Sequence, residues 1–231
     1  MPKDRSEIAL MVQSRLASKR VPNKMVRPFA GSTLLDVLFS KLQKLTSLPR
    51  ENIFLSAYDE PIKEIGRRHQ INIFERSQES ALEEKRLATI FEWHDKLPPQ
   101  YKYVIMVSGC NPLLEVSTID TFIESFIHSE NEGAFAVTEK KTYYWDQNKN
   151  HLTDWKGRSW MDTKDVDAVY EAAHCLYGSR IDIIGEGYWM DTAAPPNLEL
   201  VVINELESFD IDYEWQFRVG EALYKEFHAT T

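Results

Sequence analysis

The chain has 231 residues, enough for one generous α/β domain or a domain with an appended arm. Its apolar fraction is 43% and its charged fraction 27%, an ordinary globular composition that excludes disorder as the main state. Lys and Arg number 27 against 36 Asp and Glu, and the net charge of −9 argues against a nucleic-acid partner while leaving room for a local basic pocket.

Cys110 and Cys175 have no metal-type spacing, and so few cysteines fit a reducing, cytoplasmic setting. The apolar run Ile8 to Val12 is too short for a signal peptide, and no later stretch approaches the ~20 apolar residues of a membrane span. A soluble protein without a membrane partner is expected.

In chain order, Ile8 to Val12 reads as a strand buried on both faces, followed by the polar segment Gln13 to Lys24. Leu34, Leu35, Val37, Leu38, Leu42 and Leu45 recur at helical spacing behind a Ser32 or Thr33 cap. Asn52 to Tyr58 and Ile71 to Phe74 read as strands flanking a helix over Pro61 to His69, and a long helix is expected from Glu79 to Lys96. Tyr103 to Val107 is a second fully buried strand, Val116 to Ile127 a helix, Gly133 to Thr138 a strand and Leu198 to Ile203 another, with a final helix from Tyr213. This alternation predicts one domain over 1–231 with a mainly parallel sheet and helices on both faces. Ligands of such sheets bind beyond the carboxyl ends of the strands. The aromatic-rich stretch Lys140 to Asp165 fits either a dimerisation arm or a long loop folded back on its own core.

Three places carry candidate chemistry. The loop after the first strand holds Arg15, Lys19, Arg20 and Lys24, while Ser14, Ala17 and Ser18 allow close backbone approach. Positive charge and backbone donors at a strand end suit a triphosphate, although a solvated basic loop has the same composition. Asp210 and Asp212, at i and i+2 in extended backbone, lie on one side and suit Mg²⁺, or else Asp212 caps the last helix. Arg76, at the end of the third strand, is placed to reach a phosphate or carboxylate, with a surface ion pair to Glu79 as the plain alternative. Cys110 reads as a small buried residue, and the histidines show no ligand spacing.

The segment Ile8-Ala-Leu-Met-Val-Gln-Ser-Arg-Leu-Ala-Ser-Lys-Arg-Val-Pro-Asn-Lys24 resembles the opening loop of the sugar-acid cytidylyltransferases. These comprise the CMP-sialic acid (acylneuraminate) synthetases, the CMP-Kdo synthetases and the SpsF-like spore-coat proteins. Phe209-Asp-Ile-Asp-Tyr-Glu-Trp-Gln-Phe217 is similar to their D-I-D-x-x-x-D-F segment. The resemblance implies a nucleotide-diphospho-sugar transferase-like fold, an Mg²⁺-dependent reaction of CTP with a 2-keto sugar acid, and a homodimer. It implies that Arg15 and Lys24 act on the triphosphate, that Ser14, Leu16, Ala17, Ser18 and Asn23 wrap it, that Arg76 and Ser108 contact substrate, and that Asp210 and Asp212 hold the metal. Ser108 and Cys110 stand where the family has Gln and, in the Kdo branch, Asp. Tyr170-Glu-Ala-Ala-His-Cys-Leu-Tyr177 loosely resembles the sialic acid branch's Y-R-x-N-G-A-x-Y, with Glu171 and Ala173 replacing Arg and Asn.

Overall fold

The computed structural model describes residues 2–189 and 197–228. A seven-stranded sheet runs in the order β5-β4-β1-β6-β8-β7-β9. Its strands are β1 (Ile8–Ser14), β4 (Ile53–Ala57), β5 (Asn72–Glu75), β6 (Tyr103–Val107), β7 (Gly133–Lys140), β8 (Val169–Arg180) and β9 (Leu198–Val202). β2 (Pro28–Phe29) and β3 (Ser32–Thr33) form a separate small hairpin. β1 pairs in parallel with both β4 and β6, β4 with β5, and β7 with β9. β8 is antiparallel to both its neighbours, β6 and β7, so it alone runs against the sheet.

The alternation along β1 builds two cores. Ile8, Leu10 and Val12 point into the larger one, to which α1 (Leu34–Leu42) gives Leu34, Leu35 and Leu38, and α2 (Glu60–Arg68) gives Ile62 and Ile65. α5 (Val116–His128) adds Ile119, Phe122 and Phe126, and α6 (Glu214–His228) adds Phe217. Each such side chain contributes about 1.5–3 kcal/mol on burial. Met11 points the other way, into a smaller cluster with Val104, Ile181, Ile184 and the fully buried Trp93.

That second face is not covered by the long helix expected over Glu79 to Lys96. The segment breaks into α3 (Gln78–Leu82), α4 (Leu87–Ile90) and a 3₁₀ turn at Glu92–Asp95. The Glu83 carboxylate accepts the N–H groups of Glu84 and Lys85, offering the backbone a local alternative to the helix. β8 lies in the stretch where the sequence pattern gave no strand.

Thr33 caps α1 by accepting the Asp36 N–H at 3.1 Å. Asp36 itself takes Arg68 at 2.6 Å and His69 at 2.8 Å. Burial would push its carboxyl up, but the hydrogen bonds from Arg68, His69 and Thr33 prevail and hold it at about 2. A carboxyl depressed on folding stabilises above its unfolded value and loses that contribution as pH falls through the folded one. Asp36→Asn is therefore expected to cost about 2 kcal/mol at pH 7, a gap that closes between about pH 4 and pH 2 in urea melts.

Within residues 140–165 the aromatics divide between buried and exposed places. Tyr143 is buried and packs on Trp155, on which His151 stacks at 4.7 Å, while Trp145, Trp160 and Met161 stay exposed. Among the described residues no helix is long and apolar enough to cross a membrane.

Candidate active site

The carboxyl ends of β1 and β6 open into a cleft of about 810 Å³. One wall is the segment Ser14 to Lys24, which contributes Ser14, Arg15, Ala17, Ser18, Lys19, Arg20 and Lys24 to the lining. The other is formed by Ser108, Gly109 and Cys110 beyond β6 and by His174 and Tyr177 of β8, and Asp210 and Asp212, which precede α6 in the chain, complete the lining.

Local hydrogen bonds explain why the basic loop holds its shape. Trp93 Nε1 donates to Gln13 Oε1 at 2.8 Å, and the Leu16 N–H donates to Asp59 Oδ2 at 2.8 Å. The Ser18 N–H turns back on the Leu16 carbonyl at 2.7 Å. Asn23, with φ of 56°, takes the left-handed turn that asparagine tolerates, and its carbonyl accepts the N–H groups of Val26 and Arg27. Leu16 and Asn23 thus shape the loop and do not line the cleft. The Lys24 side chain, only 13% exposed, enters the cleft and donates to the Ile211 carbonyl at 2.6 Å, with Asp212 3.7 Å away.

The far wall is tied to the carboxylates. The Ile211 N–H donates to the Cys110 carbonyl at 3.0 Å, and the Ser108 N–H to that of Cys175 at 2.8 Å. A Cβ on Gly109 would meet the terminal methyl of Met25, so the loop after β6 packs directly against the basic wall, with the Met25 side chain between them. Cys110 sits beside Met25, its thiol pushed up by burial, which keeps it protonated and inert.

Asp212 does not cap α6 with its side chain. Gln216 Oε1 accepts both the Asp212 and Tyr213 N–H groups at 2.8 Å, leaving the Asp212 carboxylate to Arg20 at 2.6 Å. Asp210 is more exceptional. Its Oδ1 is buried without a hydrogen-bond partner, and its carboxyl is pushed up by burial and by the charge of Asp212. A buried carboxylate oxygen without a donor, beside a second carboxylate, fits a divalent cation. No cluster of three or more His, Cys, Asp or Glu suited to a metal occurs among the described residues, so a cation here would rest on these two, with water and phosphate oxygens completing its shell.

Arg76 is placed differently from the other candidates. Its guanidinium is buried, donating to Ser80 Oγ at 2.8 Å, to the Ser80 carbonyl at 2.6 Å and to the Ile90 carbonyl at 3.3 Å. The plain surface pair with Glu79 is not formed, since Glu79 pairs with Arg86 at 3.0 Å. Burial, helped by the nearby charge of Arg15, lowers Arg76 to about 10. Arg76→Met is expected to cost about 1–3 kcal/mol of stability, by orphaning buried carbonyls, and to leave nucleotide affinity within about twofold in a titration.

Sequence reasoning missed Gln13, Glu84, His174 and Tyr177. Glu84 faces the basic loop, 3.0 Å from Lys19 and 3.6 Å from Arg15. Its place depends on the break after α3, which no local pattern announces.

A cationic loop at a parallel-strand end, facing paired carboxylates, is a nucleotidyltransferase-like arrangement, and solved structures bear out the fold. A CMP:2-keto-3-deoxy-manno-octonic acid synthetase complexed with CTP superposes with a TM-score of 0.72 at 11% identity, covering 96% of this chain and 100% of that one. The 4-diphosphocytidyl-2C-methyl-D-erythritol synthase of Anaerococcus prevotii gives 0.67 at 13% identity, with 96% and 100% covered. The cytidylyltransferase family model matches residues 9–183, well over half of the chain. The protein belongs to the cytidylyltransferase family. Among curated relatives, the spore coat polysaccharide biosynthesis protein SpsF of Bacillus subtilis is 25% identical over 52% of this chain and 50% of its own length. The post-translational flagellin modification protein B of Campylobacter coli is 24% identical over 96% of both chains. The 3-deoxy-manno-octulosonate cytidylyltransferase 2 of Hydrogenovibrio crunogenus is 23% identical over 78% of this chain and 68% of its own.

Proposed function

We propose that this protein transfers the cytidylyl group of CTP to a 2-keto sugar acid, with release of pyrophosphate. The observation that carries the reading is the orphaned Asp210 oxygen, beside Asp212, in the same cleft as Arg15, Lys19, Arg20 and Lys24. The 3-deoxy-manno-octulosonate cytidylyltransferase among its relatives supports an acceptor of this class. Sialic acid or a related nonulosonic acid is the acceptor we favour, in the service of surface or flagellin glycans.

In this reading the basic loop takes the triphosphate, with Lys24 and Arg15 neutralising charge that builds up as the bond between the α-phosphorus and the bridging oxygen breaks. The acceptor's anomeric hydroxyl attacks the α-phosphorus, its proton passes to solvent, and pyrophosphate leaves. Asp210 and Asp212 would hold Mg²⁺, which supplies charge neutralisation at phosphate oxygens. Ser14 and Ser108 line the cleft where they can accept or donate to the substrates. The exposed Trp145, Trp160 and Met161 suit the same protein acting as a homodimer through 140–165, which analytical ultracentrifugation tests.

The first test is a melt with CTP, GTP, UTP and ATP, each with Mg²⁺ and with EDTA. Ligand at 100 times its Kd adds ~2.7 kcal/mol, and selective, Mg²⁺-dependent stabilisation by CTP is expected. Pyrophosphate release is then followed over a panel of 2-keto sugar acids. Preference for another nucleotide overturns the named reaction, and no shift with any of the four points to a chain without nucleotide chemistry.

A further inference from the structure

We infer that Lys41 is a positioning residue for the carboxylate pair, gripping the backbone turn that holds Asp210 and Asp212 in place. The inference rests on the proposed CTP-dependent reaction and adds to it a residue outside the cleft on which the placement of the carboxylates depends.

Lys41 lies in the last turn of α1 and is only 8% exposed. Its ammonium donates to the Pro112 carbonyl at 2.6 Å and to the Leu114 carbonyl at 2.7 Å, with the Tyr224 ring of α6 5.6 Å away. Glu115 and Glu207 attract it from a distance, but among the described residues no carboxylate pairs with it. Burial pushes the ammonium down to about 8, so it keeps its charge at neutral pH. Taking an ammonium out of water without a counter-charge is costly, and a buried charge is weak evidence of a gain in stability. Its acceptors account for its presence. Residues 108–115 are irregular backbone between β6 and α5, and buried carbonyls there have no ladder or helix to supply donors.

The turn that Lys41 grips reaches the carboxylates. The Leu114 N–H donates to the Asn111 carbonyl at 3.2 Å and closes it. At its other end the Cys110 carbonyl accepts the Ile211 N–H at 3.0 Å, and Asn111 Nδ2 donates to the Ser208 carbonyl at 3.3 Å. Asp210 thus stands between two attachments, at Ser208 and Ile211, both made by this turn. No donor reaches its buried Oδ1, so the backbone sets where that oxygen stands. The charges that bear most on Asp210 are those of Asp212, Lys24, His174 and Arg20. Lys41 therefore acts on it through the backbone and not through its field. Groups that hold a ligating side chain from behind fix its geometry in this manner. Lys3 offers the contrast. It is also buried, at 9% exposure, and donates to the carbonyls of Phe126, Ser129 and Asn131 at 2.9, 2.8 and 2.7 Å, none of which belongs to a cleft residue.

The test compares wild type with Lys41→Met, Lys3→Met, Asp210→Asn and the Lys41→Met/Asp210→Asn double variant, all assayed well below their Tm. Both methionine variants leave buried carbonyls without a donor and are expected to lower Tm. Only Lys41→Met should lower kcat for CTP-dependent pyrophosphate release, by about 10- to 100-fold, the scale of a misplacement of about 1 Å. Its binding of Mn²⁺ in the presence of CTP, read by electron paramagnetic resonance, should weaken about 10-fold, with the CTP Kd in EDTA within about twofold. Adding Lys41→Met to Asp210→Asn should lower kcat by less than about twofold further, since Lys41 acts through that carboxylate. Lys41→Gln keeps a donor for one carbonyl and should show the same pattern with smaller losses, and it decides the matter if Lys41→Met does not fold. Unchanged kcat and Mn²⁺ affinity in a folded Lys41 variant overturns the inference and leaves the reaction standing. So does an equal loss of kcat in Lys3→Met, or full additivity with Asp210→Asn. Absence of CTP-dependent pyrophosphate release by wild type overturns the proposed reaction itself, and this inference with it.

Discussion

Asp210→Asn is expected to reduce CTP-dependent pyrophosphate release by at least ~10²–10³-fold, the range for losing a principal electrostatic element of a site, while the protein melts at the same temperature or higher. The two halves have one cause. The Asp210 carboxylate has a buried oxygen without a donor, and both burial and the charge of Asp212 disfavour its ionised form. Asparagine keeps the shape and removes the charge, so the fold is relieved of a penalty that the proposed function requires. Asp212→Asn should also lose activity but leave Tm nearly unchanged. Its ion pair with Arg20 is substantially exposed, and such pairs contribute about 0–1 kcal/mol. Loss of stability in Asp210→Asn with activity retained would reduce the carboxylate pair to local structure around the start of α6. Circular dichroism melts beside a pyrophosphate assay decide between the two.

This stability pattern also separates what local sequence can reveal from what it cannot. Ile8 to Val12 and Tyr103 to Val107 were legible because a strand covered on both faces writes itself as a continuous apolar run. The basic loop and Asp210-Ile-Asp212 were legible as types of residue after a strand and before a helix, and the fold brings them into one cleft. β8 was illegible for a definite reason. Tyr170 and His174 are exposed, Ala173 and Cys175 are buried, and the extra residues of the bulge break the period of two on which a strand is recognised. His174 comes to line the cleft through this strand, a placement that spacing to another histidine does not reveal. Arg76 was seen as a cation near the site, but its acceptors are the carbonyls of a helix that the apolar pattern carried on past Leu82. The break is set by side-chain competition at Glu83, which hydrophobic periodicity does not register.

Lys24→Met should weaken CTP binding about 10- to 100-fold and lower kcat by a further ~10²–10³-fold, whereas Lys19→Met should change either by less than about fivefold. The two lysines belong to one loop and have the same charge, so composition does not distinguish them. Their surroundings do. The Lys24 side chain is 13% exposed, and its ammonium reaches past the loop to the Ile211 carbonyl, between the two aspartates. There it is poorly screened, close to both carboxylates and fixed before substrate arrives, the conditions under which a charge contributes most to a phosphoryl transition state. The Lys19 side chain is 81% exposed at the rim and paired with Glu84, where water and salt screen it. Raising ionic strength should therefore erase the Lys19→Met effect and leave most of the Lys24→Met effect. Equal sensitivity of the two variants to salt would mean that the loop acts as a diffuse positive surface, and that Lys24 has no special place at the α-phosphate.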